Sequence, residues 1–212
     1  INRLRNKQAL TSLPFDQWQI VIKEAINWGL LQPHKELTKI NYYIMHPILP
    51  YFLKCRLNNN SLSQHKQVIE MAFCDFYKEL GIELHDIIDS KDANEKQLGQ
   101  FLVELEYENF MSALLLALKY QTSILGVYMP ISYHLDITKN HQQALKLCNL
   151  VLTKLESYPI NLLEDLIGFE IVAVIEGVGR YSRKLKQYPL ARESCERALK
   201  LFDKSTIFQS KE

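Results

Sequence analysis

Glycine and proline are scarce, seven of each in 212 residues, about half of the usual share. Sandwiches and barrels need such residues for their many turns, so a β-rich fold is disfavoured. Cysteine is sparse too: Cys55, Cys74, Cys148 and Cys195 lie 19, 74 and 47 residues apart, with no CxxC pair. That spacing matches neither a zinc site nor a disulfide framework, and the four read as buried thiols of a reducing compartment. Charge of one sign is not in excess, with 25 Lys+Arg against 24 Asp+Glu and a net charge of +1. A protein that coats a polyanion would be basic, so nucleic acid is not the expected partner. Long apolar runs are missing as well. The longest uncharged stretch, Tyr120 to Leu135, is broken by Gln, Thr, Ser, Pro and His, and no membrane span is predicted. The chain opens on Ile1, and Arg3, Arg5 and Lys7 have no apolar signal core behind them. It is therefore read as a piece of a longer, cytoplasmic protein without a secretory peptide.

What is abundant is leucine, 33 residues, arranged at helical spacing. Pro14 and Asp16 suit a first helical turn, and Trp18, Val21, Ile22, Ala25 and Trp28 recur on one face until Gly29 offers a stop. Leu30 to His34, a polar connection through Lys39 and an alternating segment from Ile40 to Met45 predict a short two-stranded hairpin. Pro47 then opens a helix from Ile48 to Leu57, with Pro50 still near its start. Asn58 to Ser61 is a polar tract with nothing to bury, which sets the expected domain boundary: residues 1–60, then residues 61–212.

Beyond it the pattern is helical throughout. Ser61 with Gln64 fits a capping box, followed by an apolar stripe from Val68 to Leu80 that ends at Gly81. Asp92 with Glu95 makes a second box before a helix from about Lys96 to Tyr120. Four more helices follow: about Ile124 to Ile137, with Pro130 near its middle, Gln142 to Glu156, Leu162 to Leu185, and Leu190 to Phe202. Internal similarity is faint. His141 to Cys148 can be laid over Tyr188 to Cys195, Ala144 falling on Ala191, and Phe110 to Ala117 is a weaker third copy. The offsets are 31 and 47 residues. Gly179 stands 12 residues before Ala191 and Ala198 seven after it, the small-residue spacing of a tetratricopeptide unit, in which two antiparallel helices approach closely.

Two motifs carry a wider resemblance. Ala25 to Pro33, containing Trp28-Gly29-Leu30-Leu31, and Tyr42 to Leu53, containing His46-Pro47, resemble the end of the winged-helix domain in signal-transduction ATPases of the NB-ARC/NACHT (STAND) type. Leu105 to Leu114, with Glu108-Asn109-Phe110 and Ala113, is similar to the start of the helical repeats that follow that domain in bacterial members. The resemblance implies a mainly α fold: a right-handed α-α superhelix of tetratricopeptide-like (TPR) hairpins behind a small winged-helix-like part. It also implies an upstream ATPase module that holds ADP or ATP in the full-length protein, with His46 contacting the nucleotide. The family's strongest motif has Asp after that histidine, where Pro47 stands here. No GxxxxGK[ST] occurs in this sequence, so no nucleotide cofactor is assigned to this piece itself.

Remaining candidates are weighed residue by residue. His46 sits at a helix start, where unpaired N–H groups favour phosphate and where a histidine can equally cap the helix. His134 and His141 straddle an expected loop without a third ligand, so no metal site is assigned. Glu104, Glu106 and Glu108 lie together on one helix rather than opposed across a cleft, which suits a charged face better than acid–base chemistry. Gly177-Val178-Gly179 has no strand before it and Ser182 where a third glycine would stand, and it reads as close helix packing. Arg180, Arg183, Lys184 and Lys186 form the basic cluster, which complements a helix C-terminus. Asn109, expected to bond between neighbouring helices, together with Tyr120, Gln121, Tyr128 and Tyr133 is assigned to a partner groove between hairpins. No catalytic residue is named, and no enzyme is expected.

The functional expectation is a non-catalytic arm for protein–protein interaction or ligand sensing in signal transduction. Its partner is a protein or peptide, including the ATPase module of the same chain, and it regulates that module's nucleotide state. The alternatives are a freestanding helical-repeat adaptor and a transcriptional regulator. The helix from Asp16 to Trp28, with Asp16, Glu24 and only Lys23 as charges, is a poor surface for DNA phosphates.

Overall fold

The computed structural model describes residues 4, 7–11, 13–34, 42–59, 65–159 and 166–204. The chain divides into two compact units, residues 1–72 and 73–212, with the division inside a helix. The fold is mainly α with one small antiparallel hairpin.

In the first unit a 3-10 turn at Phe15–Gln17 leads into α1, Trp18–Asn27. Gly29, at φ 68°, stops that helix, and Leu30 N–H closes back on Ala25 C=O at 2.8 Å. Strands β1, Leu31–His34, and β2, Tyr42–Met45, pair antiparallel with Leu31 opposite Met45 and Pro33 opposite Tyr43. Helix α2, Ile48–Asn59, follows, with Pro50 in its first turn where its missing N–H costs nothing. Leu10 and Leu31 are buried, whereas Trp28 and Tyr51 remain 76% and 71% exposed.

Six helices follow among the described residues: α3, Lys66–Ile88; α4, Ala93–Lys119; α5, Leu125–Ile137; α6, His141–Leu155; α7, Leu166–Lys184; and α8, Tyr188–Lys204. The expected box at Ser61 and Gln64 and the start of a helix at Leu162 lie outside the described residues. Asp92 caps α4 as its sequence predicts, accepting from Asn94 and Glu95 N–H at 2.7 and 3.2 Å. Gly81 does not end a helix, because α3 runs seven residues past it. Its lack of a side chain serves a crossing instead. A Cβ on Gly81 would overlap the Gly126 carbonyl, and one on Gly126 would stand 2.5 Å from the Lys78 carbonyl oxygen. Pro130 explains why the Gly126 carbonyl is available, since it has no N–H to offer the residue four positions earlier.

Helix α4 packs on α5, α5 on α6, and α7 on both α6 and α8. The shared core takes Val103, Phe110 and Leu114 from α4, Val127 and Ile131 from α5, and Val151 and Leu155 from α6, all fully buried. Each such side chain contributes about 1.5–3 kcal/mol by leaving water.

The turns that join these helices repeat. After α5, Lys139 adopts φ 56° and Asn140 N–H reaches Leu135 C=O; after α7, Lys186 adopts φ 61° and Gln187 N–H reaches Ser182 C=O. Each of these residues lies 47 positions after its counterpart, the offset already visible in sequence. Gln121, at φ 53°, with Thr122 N–H on Ala117 C=O, makes the same turn after α4. Such a turn satisfies the last carbonyls of a helix and reverses the chain within three residues.

Candidate functional site

Helices α3, α5 and α7, alternate members of the chain, lie alongside one another in the same direction. Along α5 and α7 the contacts progress together: Glu170 meets Ile124, Gly177 meets Tyr128, Tyr181 meets Ser132, and Arg180 and Lys184 meet Asp136. Along α3 and α5, Lys78 bonds Thr122 Oγ1 at 3.0 Å, and Gly81 lies against Gly126 and Pro130.

Buried polar groups lock this arrangement. Glu170, 2% exposed, accepts from the Ile124 and Leu125 N–H groups and from the Ser123 hydroxyl. It thus caps α5 from a neighbouring helix, where no local side chain does so. Tyr128 and Cys148 touch at 3.0 Å beneath Gly177, where a Cβ would stand 2.9 Å from the Tyr128 hydroxyl. Gly179 faces Ala191, Ser194 and Cys195 of α8. Both glycines therefore serve close packing, as their sequence context indicates. Burial pushes the Cys148 thiol up to about 11, which makes it a poor nucleophile.

Between the three helices runs a groove of about 560 Å³. At one end Leu125, Met129 and Phe169 give it an apolar floor that continues into a second cavity of about 260 Å³ beside Gly81 and Gly126. At the other end lie Asp89, Asp136, Glu176 and Arg180. Arg180 bonds Asp136 at 2.7 Å and has Glu176 3.7 Å from its Nε, and Lys184 takes the other oxygen of Asp136 at 2.6 Å.

Of the five residues assigned to a groove from sequence, Tyr133 and Tyr128 border this one, but Tyr128 is a core side chain, 4% exposed, with its hydroxyl on Cys148. Tyr133 also accepts from Gln100 at 2.9 Å. Asn109 does not bridge helices: it donates to Glu106 of its own helix at 2.7 Å, and it is Glu106 that receives the Tyr77 hydroxyl of α3. Burial, with the Glu106 carboxylate beside it, holds that phenol far above its usual range. Tyr120 and Gln121 belong to the turn after α4 and line neither cavity. Of the basic cluster, Arg180 and Lys184 share Asp136 and lie over Tyr181, and Arg183, Lys184 and Lys186 are exposed.

His46 is exposed, and its Nδ1 accepts from the Ile48 N–H at 3.3 Å, which caps α2. In the neutral ring that arrangement puts the proton on Nε2. His134 packs its ring on Tyr107 at 4.5 Å, and His141 lies 4.0 Å from Asp136. Among the described residues no three His, Cys, Asp or Glu side chains gather as a metal site. No described helix is long and apolar enough to cross a membrane.

Sequence reasoning missed the groove's contributions from α3 and α7. The signal was present: the 47-residue offset carries Met129 onto Glu176 and Gly126 onto Ala173, four residues now found beside the two cavities.

Fold and groove together define a class, an array of antiparallel helices with an open groove across alternate members. Comparisons with protein-family models, with curated proteins and with solved structures give no match.

Proposed function

We propose that the C-terminal unit is a non-catalytic, tetratricopeptide-like module that binds a protein segment in the groove of α3, α5 and α7. In this reading it is the sensing or autoinhibitory arm of a larger cytoplasmic signalling ATPase. The N-terminal unit is the end of a winged helix, and the Nε2–H of His46 is the donor offered to a nucleotide phosphate. One observation carries the binding role: the same reversing turn recurs 47 residues apart, so that alternate helices run parallel and leave their shared face open. Phe169 and Glu176 on that face are 44% and 63% exposed. An open trough of this kind suits an extended chain; a drug-sized ligand is usually enclosed over most of its surface. Binding there would shift the ATPase between states only by the difference in affinity of the segment for the two.

The test is a selection of displayed random nonapeptides on the chain and on its Ala173→Arg variant, which fills the groove from α7. Peptides retained by the parent and lost by the variant are the expected result; peptides indifferent to the substitution contradict a groove-binding role. For the regulatory role, nucleotide exchange in the full-length protein is expected to change when residues 61–212 are deleted. Identical exchange would refute it.

A further inference from the structure

We infer that the groove selects a segment pairing a bulky apolar side chain with a lysine or arginine, a choice that rests on the groove being the binding site. Its two ends differ in chemistry. The apolar end, at Leu125, Met129 and Phe169, lies where α5 and α7 begin. The polar end lies toward where α3 and α5 finish, with Asp89 just past the last residue of α3 and Asp136 in the last turn of α5. Helix C-termini carry partial negative charge and favour cations.

The side chains point the same way. Among the described residues, three carboxylates, Asp89, Asp136 and Glu176, and one permanently charged cation, Arg180, line the groove, with Lys184 beside it on Asp136. Asp136 binds Arg180 and Lys184 at hydrogen-bond distance. Asp89 and Glu176 are different. Asp89 is 69% exposed and, among the described residues, its carboxylate meets the His85 ring at 3.7 Å; Glu176 is 63% exposed and stands 3.7 Å from Arg180 Nε. Both contacts are beyond hydrogen-bond length, which leaves the two carboxylates able to accept from an arriving ammonium or guanidinium. An acidic segment or a free C-terminal carboxylate would meet Asp89 and Glu176, and the three carboxylates at this end exceed Arg180 and Lys184 by one charge. Such a segment is selected against by like charge.

The experiment reads the composition of the nonapeptides that the parent chain retains and Ala173→Arg loses. Lys or Arg one to three positions from Phe, Leu, Met or Trp is expected to be enriched. A synthetic peptide of that kind should bind the Asp89→Asn, Glu176→Gln double variant about tenfold more weakly, and its own Lys→Glu form should not bind. Both substitutions are isosteric and exposed, and an unchanged melting temperature checks that the fold is kept. Enrichment of acidic peptides overturns the inference and leaves the groove reading standing. So does an affinity unchanged in the double variant. Peptides bound equally well by Ala173→Arg overturn both.

Discussion

Glu170 illustrates how one side chain can hold an element in place. Its carboxylate is buried, yet three donors at the start of α5 satisfy it. Glu170→Ala removes the acceptor and leaves those N–H groups unpaired, at a cost of about 1–3 kcal/mol. Glu170→Gln keeps one acceptor and should cost less, and chemical denaturation of the two variants measures the order. Cys148 supplies a test of burial. Its folded-state value of about 11 lies above the ordinary 9.0, so the unfolded chain releases that proton first as pH rises. Stability from this group is complete below pH 9 and declines from there through 11. Tyr181, pushed by burial from 10.0 up to about 12, extends the decline. Melting temperatures across this range should fall, and less steeply between pH 9 and 11 in Cys148→Ala. An equal slope would mean that the thiol is not buried as described. At pH 8.5 an alkylating reagent should label exposed Cys195 and spare Cys148.

At the scale of the element, four of the described helices end in one kind of turn, and of these α1 alone announces it with a glycine. Gln121, Lys139 and Lys186 take the left-handed conformation without that help, which costs an L-residue about 1–2 kcal/mol. Lys139→Gly and Lys186→Gly should therefore each stabilise the protein by about 0.5–1 kcal/mol once the greater freedom of glycine in the unfolded chain is counted. Thermal denaturation decides, and a loss of stability in both would contradict the turn geometry. Helix periodicity, the Asp92 cap and the Gly29 stop were legible because each is a local signal. Gly81 was not. A glycine after an apolar stripe reads as a terminator, and its actual use depends on Gly126 and Pro130, some 45 residues away. The groove was half legible for the same reason. Tyr128 and Tyr133 stand out as polar aromatics on α5, whereas His85, Asp89, Phe169 and Glu176 acquire meaning only when α3 and α7 come to flank that helix.

For the whole molecule, the proposed role turns on one open surface, the groove of α3, α5 and α7. Burial raises the Cys148 thiol, Glu106 of α4 receives the Tyr77 hydroxyl, and Arg180 and Lys184 of α7 share Asp136. The trough between α3, α5 and α7 has one apolar and one acidic end. The most direct measurement places a photoreactive benzoylphenylalanine at Met129, inside the trough, and separately at Leu150, exposed on α6. Each protein is then irradiated with a peptide enriched in the nonapeptide selection. Cross-linking from position 129 and none from position 150 is the predicted result. Cross-linking from position 150 alone would show that the segment binds elsewhere and that the trough is not the binding site.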